Sequence, residues 1–281
     1  MIEIPESTTI SRQATDVLKG KIVADVMNAT SPHRFAWFNG DATKYPELLI
    51  GKTIESVNGY GSFIDISFNE DTHLTIGDGT HMKYYTATEK CPTKFQLLIA
   101  FEDDTYLVFT VAMYGAIYAF KGEFDNIYYR GGIEKVSPME DRFDFPFFES
   151  MIAGIGKDIS VKALLATEQR IPGLGNGVLQ DILYNARIHP KRKISTLSAE
   201  DKEQLFYAVK DTLADMIEKG VRDTEKDFYG IPGKYITRLS KNQEYIYEAL
   251  PAVRFTNHKR SLSGRQCLLL SMLSAIKPSI L

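Results

Sequence analysis

The segment from Arg170 to Lys193, "RIPGLGNGVLQDILYNARIHPKRK", has residue types and spacing suited to binding an anion. Gly173 and Gly175 lie in a tight connection, and Asn176 then opens a stretch with helical apolar periodicity. Amides in the first turn of a helix point outward, and the helix dipole favours an anion there. Because glycines also let a phosphodiester approach the main chain closely, the segment predicts a phosphate-binding helix–two-turn–helix with Asn176 as N-cap.

Basic side chains surround this connection, although the chain as a whole carries a formal net charge of −3. Residues 162–193 contain six Lys or Arg against two acids, and Lys162, Arg170 and Lys193 belong to that set. A basic face on an acidic protein favours an anionic partner. The alternative is an ordinary helical hairpin whose basic end is simply solvated.

The bulk composition excludes several classes of protein. The chain has 281 residues, of which 44 % are apolar and 25 % charged, as in a globular protein of two domains. No apolar run approaches the roughly 18 residues needed to span a bilayer, and the N-terminus lacks the regions of a signal peptide. The two cysteines, Cys91 and Cys267, form no disulfide framework. We therefore expect a cytoplasmic protein without membrane association.

The first half of the chain must supply a sheet. Residues 5–20 have the apolar spacing of a helix, and the pattern then changes to period two. "SFIDISF" with "THLTI", and "FQLLIAF" with "YLVFTV", have the pattern of two hairpins. The expected fold class is α+β, with an N-terminal helix and an antiparallel β-sandwich or barrel over residues 1–140.

Helical periodicity returns in the second half. "VKALLATEQ" predicts a short helix, and "SAEDKEQLFYAVKDTLADMIEKG" predicts a longer one with Ser198 and Asp201 as a capping box and Gly220 at its C-cap. We expect a helical domain over residues 147–242. The tail from 243 to 281 shows neither clear periodicity nor metal-ligand spacing.

Three segments carry a family resemblance. "QRIPGLGNGVLQDILYNARIHP" resembles the helix–two-turn–helix of the formamidopyrimidine-DNA glycosylase/endonuclease VIII family of base-excision repair enzymes. "MIEIPES" resembles the start of that family, and "DFYGIPGKYITRLSKN" resembles the segment that leads into its zinc finger. The resemblance covers about residues 1–242.

The resemblance implies a partner and an activity. The partner is double-stranded DNA with a damaged base or an abasic site, bound in a cleft between the two domains. The activity is that of a DNA glycosylase with abasic-site lyase (β-elimination) chemistry, in a monomeric, bacterial-type, nucleoid-associated protein. Lys162 and Asn176 would hold DNA phosphates, and the implied DNA-binding set also includes Arg170, Gly173, Gly175 and Lys193.

The catalytic end departs from the family pattern. In the family, an N-terminal proline amine forms a Schiff base with C1′ of the damaged nucleotide, and a neighbouring glutamate moves protons. Glu3 and Glu6 match that pattern, but Ile2 occupies the proline position. The implied catalytic set is therefore the α-amine of Met1 with Glu3 and Glu6. Alternatively, Glu3 only caps the first helix, and the protein binds lesions without cutting the DNA.

Three further positions differ from the family pattern. Ser62 aligns with its strand lysine, and Asp78 lies in the loop that supplies a void-filling side chain. In the second such loop, "TVAMYGA" offers Met113 and Tyr114, which could wedge into a base stack. The alternative for both side chains is packing in the core.

The tail lacks the four-cysteine zinc finger with which the family ends. No cofactor is therefore expected for the chain as written, although zinc is expected in relatives. Under a one-base offset, degenerate codons let Leu250, Val253, Leu270 and Leu273 each become cysteine, with the spacing CxxC–x16–CxxC. We hypothesise that residues from about 243 are a frameshifted remnant of a zinc finger; the alternative is a true zincless finger.

A third hypothesis for the function is an RNA- or ribosome-associated module, because similar helix–two-turn–helix elements occur in ribosomal proteins. The β-rich first half, with Glu3 and Glu6 at its start, argues against that reading.

Overall fold

A computed structural model describes residues 1–238, which form two compact units. The first unit comprises residues 1–137, 172–174 and 215–235. The second comprises, among the described residues, 138–171, 175–214 and 236–238. The tail of 243–281, with its zinc-finger hypothesis, lies outside the described residues.

Helices and strands are unevenly divided along the described chain. The strands are β1 (Val23–Asn28), β2 (Ala36–Phe38), β3 (Ile54–Tyr60), β4 (Phe63–Phe68), β5 (Thr72–Tyr85), β6 (Leu97–Phe101) and β7 (Tyr106–Lys121). The helices are α1 (Ile4–Leu18), α2 (Tyr45–Leu49), α3 (Ile127–Glu134), α4 (Phe145–Ala153), α5 (Val161–Ala166), α6 (Asn176–Asn185) and α7 (Ala199–Glu218). None of the helices within residues 1–238 has the length and apolarity to cross a bilayer.

The strands of the first unit form one hydrogen-bonded sheet in the order β1-β6-β7-β5-β4-β3. Neighbours on this path are antiparallel, while β2 pairs with β7 in parallel. The long strands β5 and β7 pair along most of their length, interrupted by a bulge between Asp78 and Thr80. The predicted α+β class, a helix with an antiparallel sheet, is confirmed.

Both predicted hairpins are present. In the β4–β5 hairpin, Glu70 and Asp71 both take positive φ angles (58° and 55°), as turns that match the twist of paired strands require. The β6–β7 hairpin follows the predicted "EDDT" turn. Register in both hairpins places apolar side chains on the core face of the sheet.

Helix α1 begins and ends close to the predicted bounds of 5–20. Ile10, Ala14 and Leu18 recur at helical spacing, and all three are buried in the core of the first unit. Gly20 follows the end of the helix with a φ of 85°. A left-handed position directly after a helix favours glycine. The apolar stripe thus packs α1 against the sheet. It thereby also positions the candidate catalytic residues at the start of the chain.

The second unit contains the predicted helices. The hydroxyl of Ser198 accepts from the amide of Asp201 at 3.1 Å, and Asp201 accepts from the Ser198 amide at 2.8 Å, so the capping box is confirmed. The prediction of Asn176 as N-cap was wrong. Gly175 takes the extended N-cap conformation, and Asn176 is the first helical residue of α6, one position further on.

A buried carboxylate joins α3 to the far side of the sheet. Asp65 is 1 % exposed, and its oxygens accept from Thr75, from Tyr129 Oη at 3.1 Å and from Ser67 at 3.0 Å, while His73 Nδ1 lies 3.0 Å away. Burial, together with the charge of Asp65, raises the pKa of the Tyr129 phenol, so it stays protonated and donates. The strand β4 is therefore buried on both faces, although its sequence alternates.

We predict that Tyr129→Phe lowers the free energy of unfolding by about 1–3 kcal/mol, because a buried carboxylate loses a hydrogen-bond donor. The neighbouring Tyr128→Phe is the matched control, since Tyr128 is 59 % exposed, and it should change little. Urea unfolding can be followed by fluorescence of Trp37, the single tryptophan of the chain, which lies in the first unit. Equal stability of the two variants would contradict the prediction.

Candidate active site and nucleic-acid interface

The first residues of the chain are fixed by main-chain hydrogen bonds. The amide of Ile2 donates to the carbonyl of Asp78 at 2.7 Å, and the amide of Ile4 donates to that of Gly173 at 3.0 Å. The side chain of Ile2 is 5 % exposed and belongs to the core. The residue that replaces the family's proline is therefore a packing residue, and Met1 extends beyond it.

Arg222 is the centre of a buried ion cluster, which we call the Arg222 cluster: Arg222, Glu3, Glu6, Glu225 and the Met1 amine. The guanidinium binds Glu6 in a bidentate manner, Nε to Oε1 at 2.9 Å and Nη2 to Oε2 at 2.7 Å. Its Nη1 lies 3.7 Å from Glu3 Oε1, and its Nη2 donates to the Met1 carbonyl at 3.2 Å. Arg222, Glu3 and Glu6 are each 3 % exposed or less.

Charge compensation explains how these groups share a buried site. Burial by itself lowers the pKa of Arg222, but the attraction of Glu6 and Glu3 outweighs it and raises the pKa above the ordinary value. The ammonium of Met1 forms the second cation, 2.5 Å from Glu225 Oε2. Two cations therefore face three carboxylates, which makes removal of any one partner costly.

The backbone beside Arg222 is strained. Val221 takes a φ of 81°, a left-handed conformation that a β-branched residue rarely adopts. Such strain persists only where surrounding contacts compensate for it, and it is frequent at functional sites. Val221 is held by its own main chain, since its amide donates to the carbonyl of Met216 at 3.0 Å and its carbonyl accepts from the amide of Tyr235 at 3.3 Å.

A cavity of about 420 Å³ opens next to the cluster, within the first unit. This volume is within the range of small-ligand sites. Its wall includes Met1, Glu6, His81, Lys83 and Glu225. Burial, followed by the nearby N-terminal charge, lowers the pKa of His81, so this imidazole is neutral near pH 7. The cavity thus combines an amine, carboxylates and a neutral imidazole.

Arg222, Glu225 and His81 were missed by the sequence reasoning. The only local signal was "RDTEKD", five charged residues in six positions directly after the long helix. Such a run usually indicates a solvated loop. The pairing of Arg222 with Glu6 spans 216 residues of sequence and therefore has no local pattern.

Gly173 requires a correction. We predicted that it leaves room for a phosphodiester, but it is buried, and a β-carbon on it would lie 2.2 Å from the main chain of Gly61. Gly173 and Gly61 take φ angles of 77° and 60°. The glycine therefore permits close packing of two main chains within the first unit, and its carbonyl also accepts from Ile4.

The loop residues aligned by resemblance lie on the same unit. Ser62 is in the turn between β3 and β4, and the carbonyl of Asp78 is the acceptor for Ile2. Met113 is 58 % exposed, so core packing does not describe it. The hydroxyl of Tyr114 lies 3.7 Å from Met1 Sδ. Met113 and Tyr114 are thus near the N-terminus, and their contact with DNA stays a prediction.

In the second unit, the start of α5 and the "HPKRK" segment lie side by side. The amide of Lys162 donates to the carbonyl of Pro190 at 3.0 Å, and that of Val161 donates to Arg192 at 2.8 Å. Lys193 is exposed, and its Nζ donates to the Asp158 carbonyl at 3.0 Å. The fold therefore brings two of the predicted phosphate-binding lysines into one region.

Arg170 and Asn176 differ in their availability for a ligand. The guanidinium of Arg170 donates to the carbonyls of Ala163 and Thr167 at 2.9 and 3.0 Å and pairs with Glu168 at 2.5 Å. Arg170 thereby caps the C-terminal end of α5. Because its guanidinium is engaged in these contacts, we leave it out of the proposed phosphate site. Asn176 is exposed in the first turn of α6, after the N-cap glycine Gly175.

The donor set for the family's zinc is absent from the chain as written. Within residues 1–238, no three His, Cys, Asp or Glu side chains are grouped to hold a metal ion. The sequence after residue 238 contains one cysteine, Cys267, and one histidine, His258, where a four-thiolate zinc site needs four cysteines. The residues of this chain do not fit a four-thiolate zinc site, and the reaction proposed for it involves no zinc.

Comparison with known proteins first defines the class. The sequence model described as "Formamidopyrimidine-DNA glycosylase H2TH domain" matches residues 135–227. The MutM (Fpg) protein of Thermus thermophilus is 22 % identical, with a TM-score of 0.66 over 83 % of this chain and 84 % of that one. The Lactococcus lactis Fpg in complex with DNA containing an abasic site is 21 % identical, with a TM-score of 0.68 and the same coverage. The fold is that of helix–two-turn–helix glycosylases.

Curated relatives then identify the family. The formamidopyrimidine-DNA glycosylase of Shouchella clausii (strain KSM-K16) is 28 % identical over 225 residues, 78 % of this chain and 79 % of the relative. That of Wolbachia sp. subsp. Brugia malayi (strain TRS) is 27 % identical over 252 residues, 88 % of each. The resemblance predicted from the sequence is confirmed: the chain is similar to formamidopyrimidine-DNA glycosylases in its helix–two-turn–helix segment, in sequence over most of its length and in fold.

We predict that Arg222→Met lowers the free energy of unfolding by about 3–5 kcal/mol, because it leaves buried carboxylates without their partner. Arg130→Met is the matched control in the same unit, since Arg130 pairs at 3.0 Å with an Asp125 that is 94 % exposed. The control should show no measurable change. Urea unfolding with Trp37 fluorescence tests both variants, and a small effect of Arg222→Met would show that the cluster contributes little to stability.

Proposed function

We propose that the protein binds duplex DNA with a damaged base or an abasic site and acts as a DNA glycosylase with abasic-site lyase chemistry. The observation that carries this proposal is the Arg222 cluster, which gathers the Met1 amine, Glu3 and Glu6 beside a cavity. Similarity to curated relatives supports the substrate class, because those relatives are named formamidopyrimidine-DNA glycosylases.

The proposed reaction uses the Met1 amine as nucleophile. The ammonium transfers a proton to Glu225, and the neutral amine attacks C1′ of the open-chain abasic sugar. Loss of water from the carbinolamine gives an iminium ion. Removal of a C2′ proton then breaks the C3′–O bond and releases the downstream strand with its 5′ phosphate. Water hydrolyses the imine, which returns the amine and frees the unsaturated sugar on the upstream strand.

Proton transfers fall to the groups around the amine. Glu6 is held by two hydrogen bonds from Arg222, which suits a positioning role. Glu3, whose Oε1 lies 3.7 Å from the same guanidinium and which also takes part in the capping box of α1, is assigned the proton transfers. His81, as a neutral imidazole on the cavity wall, can accept a proton near pH 7.

A second candidate function is recognition of the lesion without cleavage. It is favoured by the two ion pairs that engage the reactive groups, Met1 with Glu225 and Glu6 with Arg222. The absence of a lysine at Ser62 also removes a family amine from this region. The two candidates share the DNA ligand and differ only in the chemistry.

We assign the binding of DNA phosphates to the second unit. We propose that Lys162, Lys193 and the first turn of α6 at Asn176 and Gly175 hold the DNA backbone. The charge of the two lysines and the exposure of Asn176 in the first turn of α6 support this assignment. The monomeric state and the cytoplasmic location stay predictions.

Borohydride trapping on a duplex with an abasic site tests the chemistry. We expect a covalent protein–DNA adduct that peptide mass spectrometry assigns to Met1, because reduction fixes the iminium ion. Acetylation of the N-terminal amine should abolish the adduct, and Glu3→Gln should slow strand cleavage. Specific binding without any adduct would select the second candidate, whereas an adduct on Lys83 would refute the role of Met1.

Measurement of DNA affinity at several salt concentrations tests the proposed phosphate contacts. We expect Lys162→Ala to weaken binding similarly on all sequences and to reduce the slope of log K against log salt by about one. Lys202→Ala is the control, because Lys202 lies on α7 and its Nζ is 3.9 Å from Glu149. Equal slopes for the wild type and Lys162→Ala would remove Lys162 from the interface.

A further inference from the structure

Three aromatic side chains form a surface patch on the first unit, which we call the aromatic ledge: Phe35, Trp37 and Tyr114. Phe35 is 48 % exposed and Trp37 45 %. The rings of Trp37 and Tyr114 are in contact, with centroids 5.8 Å apart. Large side chains exposed together in this way indicate an interaction surface.

The geometry of β2 explains why these side chains face outward. Ala36 and Phe38 pack against the core of the first unit. Side chains alternate along a strand, so the intervening Trp37 and the preceding Phe35 lie on the opposite face. The ledge is therefore a consequence of strand register, and no core position is available to these two rings.

The main chain holds the ledge in place. Trp37 is paired with Ala116 of β7, and the carbonyl of Phe35 accepts from the amide of Gly115 at 3.0 Å. The Tyr114 hydroxyl, 3.7 Å from Met1 Sδ, connects the ledge to the N-terminus. A rigid aromatic surface thus lies beside the proposed nucleophile.

The charge next to the ledge is positive. The guanidinium of Arg34 lies 5.4 Å from the centre of the Phe35 ring, and Arg34 is exposed. It forms no ion pair with another residue of the described chain, 1–238. An aromatic surface with an adjacent cation is the arrangement that binds unpaired bases, because rings stack on bases and the cation attracts the phosphate.

We propose that the aromatic ledge stacks on a nucleobase that has lost its stacking neighbour at the lesion, with Trp37 as the main contact. The proposal rests on the proposed function, since it needs DNA with its damaged nucleotide near Met1. It adds Phe35 and Trp37 of β2 to the interface, and neither was expected from the sequence.

A second copy of the chain is the less suitable occupant. A stable protein interface requires about 800 Å² from each partner, whereas the ledge consists of three partly exposed side chains. An exposed Arg34 at its edge would also meet another Arg34 in a symmetric pair. A nucleobase needs only one ring face, and Arg34 then faces a phosphate.

Trp37 is the single tryptophan of the chain, so its fluorescence directly reports contacts made by the ledge. We expect quenching of Trp37 on titration with a duplex containing an abasic site, and weaker quenching with an intact duplex of the same sequence. Trp37→Ala should weaken binding of the abasic duplex about tenfold. Trp37→Phe should retain most of the affinity, because a smaller ring still stacks. Tyr128→Ala, which removes an exposed aromatic residue on α3, should bind like the wild type.

The outcomes separate the ledge from the proposed function. Specific binding with an unchanged Trp37 signal, and equal affinity for Trp37→Ala, would refute the ledge and leave the proposed function intact. A concentration-dependent Trp37 shift without DNA, with dimers in sedimentation, would assign the ledge to self-association and also refute it. Failure to bind any DNA would overturn both.

Discussion

The pairing of Arg222 with Glu6 is the interaction on which the candidate site depends. A guanidinium 3 % exposed to solvent can persist only with carboxylates in bidentate geometry, and Glu6 supplies them at 2.7 and 2.9 Å. The same guanidinium reaches the Met1 carbonyl and Glu3. One side chain from after the last helix of the described chain therefore fixes the first residues on the cavity wall.

In the proposed reaction, the catalytic end of the chain differs from the one that the family pattern implies. Ile2 is a core residue, so the proposed nucleophile is the Met1 amine, which pairs with Glu225. The residue before Arg222, Val221, takes a φ of 81°, so the cluster is attached to a strained backbone. Chemistry at Met1 requires transfer of the ammonium proton to Glu225, whereas recognition of a lesion does not. The balance between the two candidate functions therefore depends on this ion pair.

The sequence predicted the parts of the structure that depend on local patterns. The α+β class, both hairpins, α1 and the Ser198–Asp201 capping box followed from periodicity and cap residues. Long-range contacts were not predictable: Gly173 packs on Gly61, and Arg222 pairs with a residue 216 positions away. Asn176 missed the N-cap by one position, because Gly and Asn both suit that place. The exposed Trp37 was missed because a three-residue strand gives almost no periodic signal.

A double-mutant cycle between Arg222→Met and Glu6→Gln tests the central pairing most directly. Unfolding in urea, followed by Trp37 fluorescence, gives the four free energies. If the pair fixes the N-terminal segment as described, the coupling energy should be about 2 kcal/mol in favour of the wild-type pair. A coupling energy within about 0.5 kcal/mol of zero, the range of independent sites, would contradict the account.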